Sequence, residues 1–140
     1  MRTFNEFIKE KVVRKQGAKP SRARDLFNEA VKRYNFLKTI QQKEEYSSYI
    51  LENAYDVIRE LLESKLYLQG YKSNSHEATV SYLRELGYSD GDVRFLDSLR
   101  VIRNGIKYYG ESSNLAFSVQ VIEFLDKIYI KLCQQVKDLL

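Results

Sequence analysis

The stretch RVIRNGIKYYGE, Arg100 to Glu111, gathers the residue types that could do chemistry in this chain. Arg100, Arg103 and Lys107 recur at spacings of three and four, so on a helix they stack along one edge. Asn104 and Tyr108 lie four apart on the neighbouring edge, so the helix end presents cation, amide and phenol together. Guanidinium forks suit phosphate oxygens, and tyrosine faces suit stacked bases. Like charges at these spacings cost a helix roughly 0.2–0.5 kcal/mol each, so something should offset them. Asp97 can reach Arg100 three residues on. For the rest, two readings stay open: carboxylates of the third or last helix, or an anionic ligand.

Composition limits the chemistry further. The chain has 140 residues, which favours one domain, and 44% hydrophobic residues can build a core without staples. A single cysteine, Cys133, excludes an intramolecular disulfide framework and a multi-cysteine metal knuckle. A single histidine, His76, excludes a His–His metal pair within one chain, so neither cofactor nor metal is expected. The polar start MRTFNEFIKEKVV does not resemble a signal peptide, and eighteen successive apolar residues occur nowhere. A cytoplasmic protein with no membrane contact is the expectation. Net charge of +4 permits an anionic partner without requiring one. Eleven tyrosines and no tryptophan suit core, interface or stacking surface alike.

The elements that must position these residues are helical. One proline and six glycines punctuate long periodic segments. Phe4, Phe7, Ile8, Lys11 and Val12 fall at helical spacing, so residues 1–17 read as an additional N-terminal helix ending near Gly17. Pro20 suits the first turn of a second helix, whose face is Ala23, Leu26, Phe27, Ala30, Tyr34 and Leu37. The third and longest runs through Tyr46, Ile50, Ala54, Val57, Ile58, Leu61 and Leu62, and Gly70 closes it. After the link YKSNS, a short helix runs from Ala78 to Leu86 and stops at Gly87. A fifth helix spans about Val93 to Tyr109 with Asp92 as its cap. Its buried stripe is Phe95, Leu99, Ile102, Ile106 and Tyr109, and beside it lies the row Leu96, Arg100, Arg103 and Lys107. The last helix starts near Asn114 with Leu115, Val119, Ile122, Leu125, Tyr129, Leu132 and Val136 on one side. The fold class is therefore all-α, an up-and-down bundle of five to six antiparallel helices.

The segments ENAYDVIRELLESKLYLQGYKSNSHEATVSYL and LDSLRVIRNGIKYYGE together resemble the HEPN superfamily, in particular its archaeal small stand-alone members. The resemblance covers roughly residues 20 to 135. It implies a helical bundle that dimerises, with the Arg-Asn helices of two protomers facing across a cleft. Active members are metal-independent endoribonucleases whose motif is Arg, often followed by Asn, then four to six residues, then His. Several are toxins paired with a minimal nucleotidyltransferase antitoxin, and others are non-catalytic RNA- or nucleotide-binding modules. Carried onto this chain, Arg103 is the motif arginine and Asn104 its neighbour, while Tyr108 stands where the histidine should be. Glu52 is matched to a polar position that members direct toward the arginine.

That replacement shapes the expected mechanism. Cleavage of this kind proceeds by attack of the 2′-hydroxyl on the adjacent phosphate and needs a proton-transfer group beside a cation. Arg103 can supply the charge. Tyrosine, with an ordinary pKa of about 10, is a poor base at neutral pH, although a general-acid role is open to Tyr108. The resemblance therefore implies a homodimeric RNA- or nucleotide-binding module, non-catalytic or weakly active, using Arg100, Arg103, Asn104, Lys107 and Tyr108. A minimal nucleotidyltransferase is its implied partner. The alternative is a toxin-type endoribonuclease with Arg103, Asn104 and Tyr108 as catalytic residues. His76 reads as a solvated or capping residue at a helix start, or else as a substitute histidine reaching the cleft. Cys133 reads as a small core or interface residue.

Overall fold

The computed structural model describes residues 1–110 and 112–140, with the side chains of Tyr108 and Tyr109 outside the description. Among the described residues six α-helices follow in chain order: α1 Phe4–Lys9, α2 Pro20–Leu37, α3 Ser47–Gln69, α4 His76–Glu85, α5 Asp90–Tyr109 and α6 Leu115–Lys137. A 3-10 turn, Glu44–Tyr46, leads into α3, and two short strands, β1 Val13–Lys15 and β2 Tyr71–Ser73, pair antiparallel. The chain is thus mostly helical, and its long helices pack as a bundle.

Local chemistry explains the element limits. The side chains of Thr3, Ser75, Ser89 and Asn114 accept the amide hydrogens of Glu6, Ala78, Asp92 and Phe117, capping α1, α4, α5 and α6. Caps of this type contribute about 1 kcal/mol each. Pro20 opens α2, where its missing N–H removes nothing. Gly70 and Gly110 end α3 and α5 at φ 79° and 67°, the left-handed region that glycine enters freely. At α5 the cap is Ser89 rather than Asp92, because the Asp92 amide donates to the Ser89 hydroxyl, so the helix begins at Asp90 rather than near Val93.

The expected helix over residues 1–17 is corrected. α1 stops at Lys9, Lys11 turns at φ 63°, and residues 13–15 extend as β1. Adjacent Val12 and Val13 resist continued helix, and the segment after Gly70 offers a pairing edge. Val13 pairs with Ser73 and Lys15 with Tyr71, so part of the presumed link YKSNS is strand.

α3 forms the axis, buried on nearly every side from Ile50 to Leu66. Burying each Leu, Ile or Val there contributes roughly 1.5–3 kcal/mol, which makes α3 a stiff mount for any polar group it carries. α2 lies antiparallel to it: the Ser64 hydroxyl donates to the Ala23 carbonyl at 2.6 Å, and Arg33 meets Glu60. α5 and α6 are also antiparallel, with Lys127 Nζ 2.8 Å from Asp92 and the Phe95 and Phe124 rings 4.5 Å apart. α3 and α6 run in the same direction, which departs from a wholly antiparallel arrangement. Glu44 accepts the Leu115 amide at one end, and Lys65 donates to the Gln135 carbonyl at the other.

Two helix faces differ from those read off the sequence. On α5 the buried line is Val93, Leu96, Leu99 and Arg103, while Phe95, Ile102 and Ile106 are only partly covered. The helix packs against α3 and α4 along one line and touches α6 through Phe95, so the inward face is rotated from the expected stripe. On α6 the inward line is Val121, Leu125, Ile128, Leu132 and Val136, and Val119 is exposed. Cys133 is buried, as a small core residue would be.

Candidate functional site

α3 carries a polar row on an otherwise apolar helix. Asp56, Arg59 and Glu63 follow at spacings of three and four and so share an edge. Arg59 joins them, with Nε 3.3 Å from Asp56 Oδ1 and Nη1 2.9 Å from Glu63 Oε2. Onto this row α5 brings Arg103, whose Nη2 donates to Asp56 Oδ1 at 3.3 Å. The Arg103 Cζ lies 5.7 Å from the centroid of the Tyr55 ring, within cation–π range. From the start of α4, the imidazole of His76 stands 6.5 Å from that same ring. Three helices thus converge on Tyr55 and Asp56.

Arg103 is only 5% exposed. A guanidinium has five donors, and the one 3.3 Å bond it makes among the described residues leaves it poorly satisfied at that depth. Its Nε has no hydrogen-bond partner among the described residues, and neither does the hydroxyl of the fully buried Tyr55. Native proteins pair the great majority of such groups, since each orphan costs about 1–3 kcal/mol. Two orphaned polar atoms within one cluster are therefore informative. The Asp56 carboxylate does not neutralise both of its neighbours fully, because it serves Arg59 and Arg103 through the same oxygen.

The local field shifts two titrating groups. Burial holds the Tyr55 phenol well above its ordinary range, with Arg59, Arg100 and Arg103 pulling against it. His76 keeps an exposed edge, yet partial desolvation of its ring, and then the Arg59 cation, lower its pKa from the usual 6.5. Arg103 contributes in the same direction. A neutral imidazole and a buried guanidinium therefore approach the same Tyr55 ring, and both are groups that phosphate chemistry can use.

The sequence-derived site residues distribute unevenly. Arg100 lies half-buried with its Nε 2.8 Å from Asp97, the partner its spacing suggested. Arg103 pairs with a carboxylate of the third helix, which matches the ion-pair reading of its surroundings. Asn104 is half-buried, and Lys107 is exposed one turn beyond Arg103. The side chain of Tyr108, the proposed stand-in for the motif histidine, lies outside the described residues. Glu52 makes no ion pair with Arg103 among the described residues, and the carboxylate that does is Asp56, one turn further along α3. Tyr55, Asp56, Arg59 and Glu63 were not anticipated, although the spacing of the last three is visible in the sequence.

Among the described residues no group of three His, Cys, Asp or Glu side chains is placed to hold a metal ion, and no helix is long and apolar enough to cross a membrane. No protein-family model and no curated protein matches the chain in sequence.

Proposed function

We propose that this chain is a small HEPN-type protein that binds RNA or nucleotide phosphate at the Arg103 cluster, without catalysis or with weak turnover. The observation that carries the reading is the pair of orphaned polar atoms, Arg103 Nε and Tyr55 Oη, around a buried and under-satisfied guanidinium. A phosphate oxygen accepts from an N–H or a hydroxyl; both atoms are closed to solvent here, so binding requires the Arg103 side chain to swing outward. The resemblance of the Arg103–Asn104 segment and of the α3 sequence supports the same reading. The same resemblance implies a homodimer and a minimal nucleotidyltransferase as partner.

A second reading, a metal-independent endoribonuclease, is favoured by His76 reaching the Tyr55 ring that Arg103 overlies. In that chemistry the imidazole takes the proton of the 2′-hydroxyl, whose oxygen attacks phosphorus. Arg103 stabilises the phosphorane as the bond to the 5′-oxygen breaks, and Tyr108 or water returns a proton to that oxygen.

Incubating the purified protein with structured and single-stranded RNA in EDTA, and scoring gel shift and cleavage together, separates the two. A shift without cleavage, lost in Arg103→Met, is expected. Cleavage abolished by both His76→Gln and Arg103→Met would replace the binding reading with the enzymatic one. No shift and no cleavage would overturn both.

A further inference from the structure

A second cationic site lies at the other end of α3. Two adjoining recesses share Arg22, Tyr67 and Lys72, and the larger, of about 420 Å³, is also lined by Gln16 and Lys19. Four elements contribute: the β1–α2 loop, the first turn of α2, the last turn of α3, and β2. Main-chain hydrogen bonds hold the loop in place, from Gln16 to the Gly70 carbonyl at 2.8 Å and from Lys19 to the Tyr67 carbonyl at 3.0 Å. Gly70 is needed for this approach, because a Cβ there would sit 2.6 Å from the Gln16 carbonyl oxygen.

The cations of this recess are exposed and lack carboxylate partners among the described residues. Ion pairs engage Arg33, Arg59, Arg84, Arg100 and Lys127, but none includes Lys19, Arg22 or Lys72. Glu63, which lines the smaller recess, is held by Arg59 at 2.9 Å. Lys72 instead donates to the Tyr67 hydroxyl at 3.0 Å, while Arg22 and Lys72 lie 5.9 and 5.5 Å from the Tyr67 ring centre. These two cations, Lys72 first, lower the Tyr67 pKa from its ordinary value. The first turn of α2 adds positive potential and contains no acidic residue. Cations gathered there repel one another, and an anion offsets that repulsion.

We infer that Lys19, Arg22, Lys72 and Tyr67 form a phosphate site, distinct from the Arg103 cluster. Tyr67 follows Asp56 by eleven residues, three turns that return it to the same face of α3 at about 17 Å. If the RNA-binding reading above is correct, this recess takes a backbone phosphate of the same strand that reaches Arg103. If it is not, the recess still takes a free phosphate or nucleotide phosphate.

Two arms test this. Inorganic phosphate and pyrophosphate are titrated into the protein while backbone amide resonances are followed by NMR, for the wild type and for Arg22→Gln/Lys72→Gln. Saturable shifts at Ser21, Arg22 and Lys72, lost in the double variant, are expected. A dinucleotide and a longer oligoribonucleotide are then compared by fluorescence anisotropy. The double variant should weaken the longer strand about tenfold, spare the dinucleotide, and lower the log–log salt slope by about 1.4, the value for two lost phosphate contacts on a single strand. Phosphate shifts with no RNA binding anywhere would support the recess and overturn the Arg103 reading. No saturable phosphate shift, with longer-strand affinity unchanged in the double variant, would overturn the inference. Because these side chains are exposed, both proteins should unfold at the same temperature, which makes either result interpretable.

Discussion

Arg33 on α2 and Arg103 on α5 both reach carboxylates of α3, and they are held in different ways. Arg33 donates through Nε to Glu60 Oε1 at 2.8 Å and through Nη1 to Asn53 Oδ1 at 2.8 Å, with Nη2 3.4 Å from Glu60 Oε2. That is a two-pronged grip, which raises the Arg33 pKa above its ordinary value, the Glu60 hydrogen bond being the main cause. Arg103 is more deeply buried, yet among the described residues it has one 3.3 Å bond, to a carboxylate that Arg59 also uses. A guanidinium that serves only the fold should look like Arg33. Among the described residues the deeper one has fewer partners, and spare donors near a phenol with no described partner are what an anionic ligand needs.

Substitutions at the two arginines and their partners test this difference. The largest effect is expected at Arg33→Met, which strands the buried Glu60 carboxylate and should cost about 3 kcal/mol in urea unfolding while leaving RNA binding unchanged. Asp56→Asn should cost less, roughly 1–2 kcal/mol, because Arg59 keeps Glu63. It should also tighten oligoribonucleotide binding in anisotropy titrations, since the carboxylate that competes for Arg103 loses its charge. Tyr55→Phe should stabilise the unliganded protein by about 1 kcal/mol, since it removes a buried hydroxyl with no partner among the described residues. A clear loss of stability in that variant would mean that the hydroxyl is bonded and that the two arginines differ less than they appear from distances.

The smallest effect is a slope. The folded-state pKa of His76 is depressed below 6.5, so the unfolded chain takes up that proton first on acidification. The stabilisation is therefore present above pH 6.5 and lost as pH falls through the lowered value. The melting temperature of the wild type should decline on this acid side, and His76→Gln should flatten part of the decline. An unchanged profile would mean that neither desolvation nor the nearby arginines depress the His76 pKa.

Much of the helical scaffold was legible in the sequence because caps and glycines announce themselves. Ser75, Asn114, Gly70 and Gly110 stand where local chemistry requires them. The strands were not legible, since three residues at Val13 and three at Tyr71 make sense only as a pair brought together by α2 and α3. At the site, the spacing of Arg100, Arg103 and Lys107 was visible, but the burial of Arg103 was not. Whether a cation row lies beside a stripe or within it depends on how α5 is rotated against α3 and α4, and packing partners decide that. Asp56, Arg59 and Glu63 were readable as a polar row, yet an i, i+3, i+7 row on a helix is usually a solvated edge. Only the arrival of Arg103 and His76 from two other helices makes it a candidate site.

On this reading Arg103 is a ligand group more than a structural one. Thermal unfolding of the wild type and Arg103→Met, each with and without a single-stranded oligoribonucleotide, tests it most directly. The free variant should unfold within a few degrees of the wild type, since Asp56 keeps Arg59, and RNA should raise the midpoint of the wild type alone. A variant as destabilised as Arg33→Met, with the RNA-dependent shift preserved, would contradict it.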